Sequence, residues 1–337
     1  MLLKELSEAC GVSGNEDALR DLVLTKIEPL ADDITVDVMG NVIACKHGTR
    51  GGKKIMICAH MDEVGLIVSS ISEKGYLKFK TVGGVDARVL VGKKVRVGKA
   101  NVGGVIALKA IHLQSKDERK HAPKAKELYI DIGVSSKEEA EKLVTLGDYV
   151  SFDTAFAEFG DGCLKGKALD DRCGCAILLE LMEHTYRNDV YFCFTVQEEV
   201  GCRGAKIAAN RIAPDIGLIV EATTCSDIAG VAPHLEVTTL GGGAAISVFD
   251  RGSYADGKLV KALYNAAQEN GISAQYKRTT MGGNDARSVQ TAGLGARVAA
   301  ISVPCRYLHS PVSVISRSDY DAVRDLAKLF LENAEEW

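Results

Sequence analysis

Two glutamates stand side by side at Glu198-Glu199, one residue beyond Val190–Val196, a short apolar run rich in β-branched and aromatic residues. Such a run reads as a strand covered on both faces. Two carboxylates at its end raise each other's pKa, and burial adds a desolvation cost, so the pair either faces water or meets a cation. Three more predicted strands run out into residues of the same chemistry: Lys54–Ala59 into His60-Met61-Asp62, Ile216–Val220 into Glu221, and Val298–Val303, by a short loop, into His309. Asp170-Asp171 opens a predicted helix. Each has a plain reading when taken singly. Glu198-Glu199 reads as an exposed acidic strand end, His60 as a core histidine, Glu221 as a structural carboxylate, and Asp170-Asp171 as a helix cap.

Taken together they point to one place, because ligands of open α/β sheets collect at the carboxyl edge of the strands. Imidazole and carboxylate donors suit zinc, cobalt or manganese, and there are more of them than one ion needs. The spacing His60-x-Asp62 lets a carboxylate orient a metal-ligating imidazole from behind. If one aspartate bridges two ions, they lie about 3.5–4 Å apart, the separation used by hydrolytic two-metal sites. The adjacent glutamates then divide the work, one ligating and the other taking a proton from the bridging water. The residues alone do not choose between Asp170 and Asp171.

The elements that must position these groups divide the chain in two. A length of 337 residues with 46% hydrophobic content fits about two domains with ample core. Helices are predicted over residues 2–10 and 16–28 around a Gly11–Gly14 turn, with Ser13 and Asn15 as caps. Strands follow near 34–38, 41–45 and 54–59, separated by a glycine turn at Gly48, Gly51 and Gly52. From Val64 to Gly160 the pattern changes to strand–turn–strand with frequent glycine (LIVSSI, YLKFKTV, KKVRVG, GGVIALKAI, LYIDIGV) and one short helix at 136–144. The α/β pattern resumes at Asp170, passes a glycine loop at 281–285, and closes on a helix near 319–334 with Ser318 as its cap. The expected fold is α/β: a mixed, mostly parallel sheet flanked by helices, with a small antiparallel β domain inserted. Residues 1–63 and 161–337 form the catalytic domain on this reading, and 64–160 the insert.

Net charge is −4 with both signs interspersed, which excludes nucleic acid or an anionic membrane surface as the main partner. The basic stretch Lys109–Lys126 contains Asp117 and Glu118 and reads as a solvated loop. Several of the ten cysteines (Cys58, Cys175, Cys193) sit inside apolar runs, as free thiols do. The opening residues read as a polar-punctuated helix rather than a signal peptide, and no apolar run approaches membrane-spanning length. The expected compartment is the cytoplasm.

With the motifs AHMDEVG, GKALDDRCG, QEEVGCRGA, GGNDA and RYLHSP in place, the sequence resembles the M42 (tetrahedral, or TET) aminopeptidases over essentially its whole length. The resemblance implies two divalent ions per subunit, one held by His60, Asp170 and Glu221 and the other by Asp170, Glu199 and His309. Asp170 bridges them, Glu198 is the general base, and Asp62 is the partner of His60. It also implies peptide substrates, and a homododecamer built from dimers through the insert, enclosing a chamber that admits peptides but not folded proteins. Glu221 stands where many members of the family have aspartate, and Ser313 where an acidic residue is common. The alternatives are a related metal-dependent amide hydrolase (a carboxypeptidase or deacylase) and a metal-free, inactive scaffold. Some relatives carry a glucanase label, but hydrolysis of glycosides usually relies on two opposed carboxylates without metal.

Overall fold

The computed structural model describes residues 1–50, 52–280 and 282–334. Gly51 of the glycine turn and Met281 of the loop 281–285 lie outside the described residues. Four strands form the centre of the large sheet and run parallel, in the order Asp189–Thr195, Lys54–His60, Ile216–Thr224, Arg297–Arg306. They are the most apolar runs of the chain, as strands covered on both faces must be. Along Lys54–His60, Ile55 and Ile57 enter one hydrophobic cluster and Met56 and Cys58 another, the alternation of a pleated strand between two helical layers. Helix Leu169–Leu181 packs in the first layer, and helices Arg203–Ile212 and Ala286–Gln290 in the second. Antiparallel strands extend the sheet at both sides: Val42–Lys46 and Asp33–Val36 beyond the first central strand, and Ser313–Ser316, Cys163–Gly166 and Ala157–Phe159 beyond the last.

Between the His60 strand and the Asp170 helix, six short antiparallel strands close a barrel in the order Gly65–Ile71, Leu77–Val82, Tyr129–Asp131, Val102–Ala107, Lys94–Val97, Tyr149–Phe152. Alternate residues (Leu66, Val68, Leu77, Phe79, Val95, Val97, Val150, Phe152) point inward and make a core separate from that of the sheet. Closure leaves no free edge at the barrel, which suits strands this short.

Several local readings are corrected. Ile216–Thr224 does not stop before Glu221 but continues three residues past it. Ser13 does not cap a helix; Glu16 occupies that position, and the Ser13 hydroxyl reaches Asp62 instead. The last helix begins at Arg317 with Ser316 at its N-cap, and Ser318 bonds the Ser316 hydroxyl.

Directly after the His60 strand, a buried ionic cluster joins three parts of the chain. Glu63 Oε1 accepts from Lys167 Nζ (2.7 Å), from the backbone N–H of Gly11 (3.0 Å) and from the hydroxyl of Ser151 on the barrel (3.3 Å). Arg172 approaches the same oxygen at 3.5 Å and donates to the carbonyls of Met61 and Ala9. Removing one member of such a group leaves buried charge uncompensated, so Glu63→Ala is expected to lower the unfolding free energy by about 3–5 kcal/mol. Urea denaturation measures this, and an unchanged midpoint would contradict it.

Candidate metal centre

The pairing of the central strands decides which residues meet. Thr195 lies opposite His60, and the register Ile216↔Ile55 to Ile219↔Cys58, carried two residues on, sets Glu221 level with His60 on the other side. Beyond Thr195 the chain leaves the sheet: Asn41 takes the N–H of Val196 at 3.0 Å, and Gln197 adopts the left-handed conformation (φ 57°). That turn swings Glu198 and Glu199 over the strand ends. Their own N–H groups are caught by Asp62, Glu198 N on Oδ1 at 3.0 Å and Glu199 N on Oδ2 at 3.2 Å. Glu16, whose burial pushes its carboxyl up to about 7, accepts the N–H of Gln197 at 3.2 Å. His309 comes from the loop after Arg297–Arg306, where Tyr307 and His309 itself have positive φ. The barrel contributes Gly84 beside it, where a Cβ would come 3.4 Å from His309 Nδ1.

All seven residues singled out in the sequence converge here. His60 Nε2 lies 3.2 Å from Asp170 Oδ1 and 3.3 Å from Glu221 Oε1. His309 Nε2 lies 3.3 Å from Asp170 Oδ2 and 3.2 Å from Glu199 Oε2. Asp170 thus turns one oxygen toward each imidazole. Asp171 also lies within ligand distance of His60 and Glu221, but the backbone claims its oxygens: Oδ1 accepts the N–H of Gly174 at 3.0 Å, as a cap does, and Oδ2 that of His60 at 3.2 Å. The Nδ1 of His60 is 2.9 Å from the main-chain carbonyl of Asp62, whereas the Asp62 carboxylate stands off at 3.5 Å. A carbonyl only accepts, so Nδ1 carries a proton and Nε2 is the nitrogen turned to the Asp170–Glu221 side.

The two imidazoles and the carboxylates around them crowd one buried region, and each shifts the others' titration. Burial alone would lower the pKa of His60, yet Glu221, Asp170 and Asp62 hold it well above the ordinary value. His309 is likewise carried up to about 10, against its burial, by Asp170 and Glu199. Burial drives Glu199 and Glu221 well up, and Glu198 up to about 8. Glu199 Oε1 is buried with no hydrogen-bond partner. Such an orphan is rare unless a ligand completes it. Four ligands at about 2.0–2.1 Å in a tetrahedron stand about 3.3 Å from one another, so the nitrogen–oxygen separations are those of ligands sharing a cation. The donor set, neutral imidazole and carboxylate in a buried cradle, fits a zinc-like ion.

Three nearby residues were not singled out as site groups by the sequence reading. Cys202 donates to Glu198 Oε1 at 3.1 Å, Asp285 is buried beside them, and Glu16 holds the Gln197 turn. Cys202 and Asp285 lie within the QEEVGCRGA and GGNDA motifs, which was the available signal; Glu16 had none. Arg306, three residues before His309, is paired with Asp227 at 2.7 and 2.8 Å. Ser313 is buried, bonds the carbonyl of Gly166, and lines a small cavity with Asp170, Glu199 and His309.

Residues 40–326 match the family model described as M42 glutamyl aminopeptidase. An aminopeptidase from the archaeon Desulfurococcus kamchatkensis is 39% identical, with 98% of this chain and 93% of that one covered and a TM-score of 0.94. The TET1 peptidase of Pyrococcus horikoshii, described as able to assemble into a tetrahedron or a large octahedral shell, is 34% identical, with 98% of each chain covered and a TM-score of 0.88. A lysyl aminopeptidase of Pyrococcus furiosus is 33% identical over 347 residues, with 98% of this chain and 96% of that protein covered.

Proposed function

This chain belongs to the M42 glutamyl aminopeptidase family and is a metal-dependent peptide hydrolase, and from that premise we propose that it removes N-terminal residues from peptides at a two-cation centre. The observation that carries the reading is Asp170, whose two oxygens face two separate imidazole–carboxylate pairs. On this reading His60, Asp170 and Glu221 hold one ion, and Asp170, Glu199 and His309 the other. Zinc or cobalt suits the donors best, and manganese is admitted by them. Bound there, the cations polarise the scissile carbonyl and ease deprotonation of water. Glu198, the carboxylate left over beside the centre, takes the proton of the attacking water and hands it to the leaving amine. Cations held by these ligands would lower its pKa from about 8 toward the working range of a base. Asp62 orients His60 through its carbonyl and fixes the Glu198-Glu199 turn through its carboxylate.

The aminopeptidase reading predicts dependence on a free α-amine, which the ring of carboxylates is suited to receive. Aminoacyl p-nitroanilides are expected to be cleaved about 10⁴-fold faster than their N-acetylated forms, because an unmatched polar site rejects an analogue strongly. Amidation of a peptide's C-terminus is expected to leave the rate unchanged. Comparable turnover of acetylated substrates would favour a deacylase, and loss of activity on amidation a carboxypeptidase. Chelator treatment is expected to abolish turnover, and zinc or cobalt to restore it.

We further propose that residues 1–63 and 161–337 work as the catalytic part, with 64–160, whose last strand Ala157–Phe159 joins the large sheet, as the domain through which subunits assemble. Ile111 and Leu113, 69% and 62% exposed on the long barrel loop, supply apolar area for such a contact. A homododecamer built from dimers is the assembly we propose, by analogy with a TET1 structure described as a dodecamer. Native mass measurement of metal-replete protein is expected to give a high multiple of 36.0 kDa, and monomer alone would count against assembly. All ten cysteines are free thiols, and the cytoplasm is the compartment we assign on that basis. Among the described residues no helix is long and apolar enough to cross a membrane.

A further inference from the structure

We propose that Glu198, Cys202 and Asp285 form a third cation site, selective for zinc, whose occupation withdraws Glu198 from catalysis. Each of the three offers one ligand atom, and these atoms all lie within 4.8 Å of one another. The backbone builds the arrangement: Cys202 N donates to the carbonyl of Glu198 at 2.9 Å, folding the Glu198–Cys202 turn so that both side chains fall on one side. The Ser288 hydroxyl then holds the Cys202 carbonyl at 2.9 Å, tying the turn to the helix that follows Asp285.

What separates this cluster from an ordinary thiol–carboxylate contact is Asp285. The residue is 1% exposed, its Oδ2 is satisfied by the Thr195 hydroxyl at 2.5 Å, and its Oδ1 is buried with no hydrogen-bond partner. A buried carboxylate oxygen left bare beside a sulfur and a second carboxylate is a ligand position awaiting a cation. The donors choose which one. A thiolate prefers zinc to magnesium or calcium, and one sulfur with two carboxylate oxygens leaves a fourth tetrahedral position for water. Binding involves no redox change: the thiol proton, with any carboxyl proton, leaves to solvent as the zinc–sulfur bond forms. Glu198 is the half-buried member of the cluster, Cys202 and Asp285 being buried. The loss of turnover rests on the reading of Glu198 as the base; the binding does not.

The test uses protein carrying its resident metal, equilibrated with zinc at a series of buffered free concentrations, with bound zinc per chain read by elemental analysis. Wild type is expected to take up one zinc more than Cys202→Ser and Asp285→Asn, and equal uptake by all three overturns the site. Cys202→Ala stands in if the Asp285 variant fails to fold. Cadmium titration gives a second readout, since a thiolate-to-cadmium charge-transfer band is expected in wild type and not in Cys202→Ser. A band of equal size in both means that other thiols bind, and refutes the proposal. As the extra zinc binds, wild-type peptide turnover is expected to fall by about 10² or more, the share that a general base contributes. Under the same zinc Cys202→Ser should keep its own starting rate. Where Glu198→Gln has itself lost turnover, zinc uptake with undiminished wild-type turnover would show that Glu198 is not among the ligands. Glu198→Gln assayed without added zinc tests the base separately, so the two readings fail independently.

Discussion

Glu198→Gln is expected to keep its full metal content and lose about 10²–10⁴-fold in kcat, the contribution of a positioned general base. The substitution preserves size and shape, and the main-chain N–H of residue 198 still reaches Asp62 Oδ1, so the turn carrying Glu199 stays in place. Neither imidazole pair includes Glu198: His60 faces Asp170 and Glu221, and His309 faces Asp170 and Glu199. What is lost is a basic oxygen at a carboxylate beside the centre that neither imidazole claims. KM is expected to change little, since the amide fills the same space. The measurement is steady-state hydrolysis of aminoacyl p-nitroanilides alongside elemental analysis. A variant within about tenfold of wild-type kcat would show that another group takes the proton. A variant that lost its ions would show that Glu198 is a ligand.

The chemistry of this site was legible in the sequence because it is concentrated at strand ends, where a run such as KIMICA or VYFCFTV stops abruptly at a charge. The geometry was not. Glu221 looks like a strand terminus, yet its strand runs on to Thr224; it meets His60 because the pairing register sets them level. That alignment is a property of two chains of residues side by side and is invisible in either alone. Ser13 shows the same limit. A serine before an apolar helix reads as a cap, but its hydroxyl bonds a carboxylate 49 residues away. The barrel was legible as alternating short strands, but its closure depends on Tyr149–Phe152 pairing with both Gly65–Ile71 and Lys94–Val97. The division of labour within Asp170-Asp171 also needed three dimensions, since both are carboxylates at a helix start and only the direction each faces separates them.

Asp170→Asn is expected to cost both ions, where Glu221→Ala costs one. Asp170 is the only one of the proposed ligands whose two oxygens serve different imidazoles, at 3.2 Å from His60 and 3.3 Å from His309. Against its burial those imidazoles keep it ionised far below the usual carboxylate range. An asparagine in the same place presents one carbonyl oxygen and one N–H₂ donor. One cation loses a ligand outright, the other loses the charge of the bridge, and the carboxylates of Glu199 and Glu221 no longer share a common counter-ion. Metal content is expected to fall below one ion per chain, and turnover to drop by about 10³-fold or more, since stabilising transition-state charge is worth several kcal/mol. Stability offers a check independent of activity. A ligand that binds only the folded chain raises its stability by RT ln(1 + [L]/Kd), so zinc is expected to raise the melting temperature of metal-stripped wild type and leave that of Asp170→Asn nearly unmoved. Glu221→Ala, which keeps Asp170, Glu199 and His309 together, is expected to retain part of the rise. If Asp170→Asn still held two ions per chain, the imidazoles would be reaching cations through other carboxylates, and the shared bridge on which the two-cation reading stands would be gone.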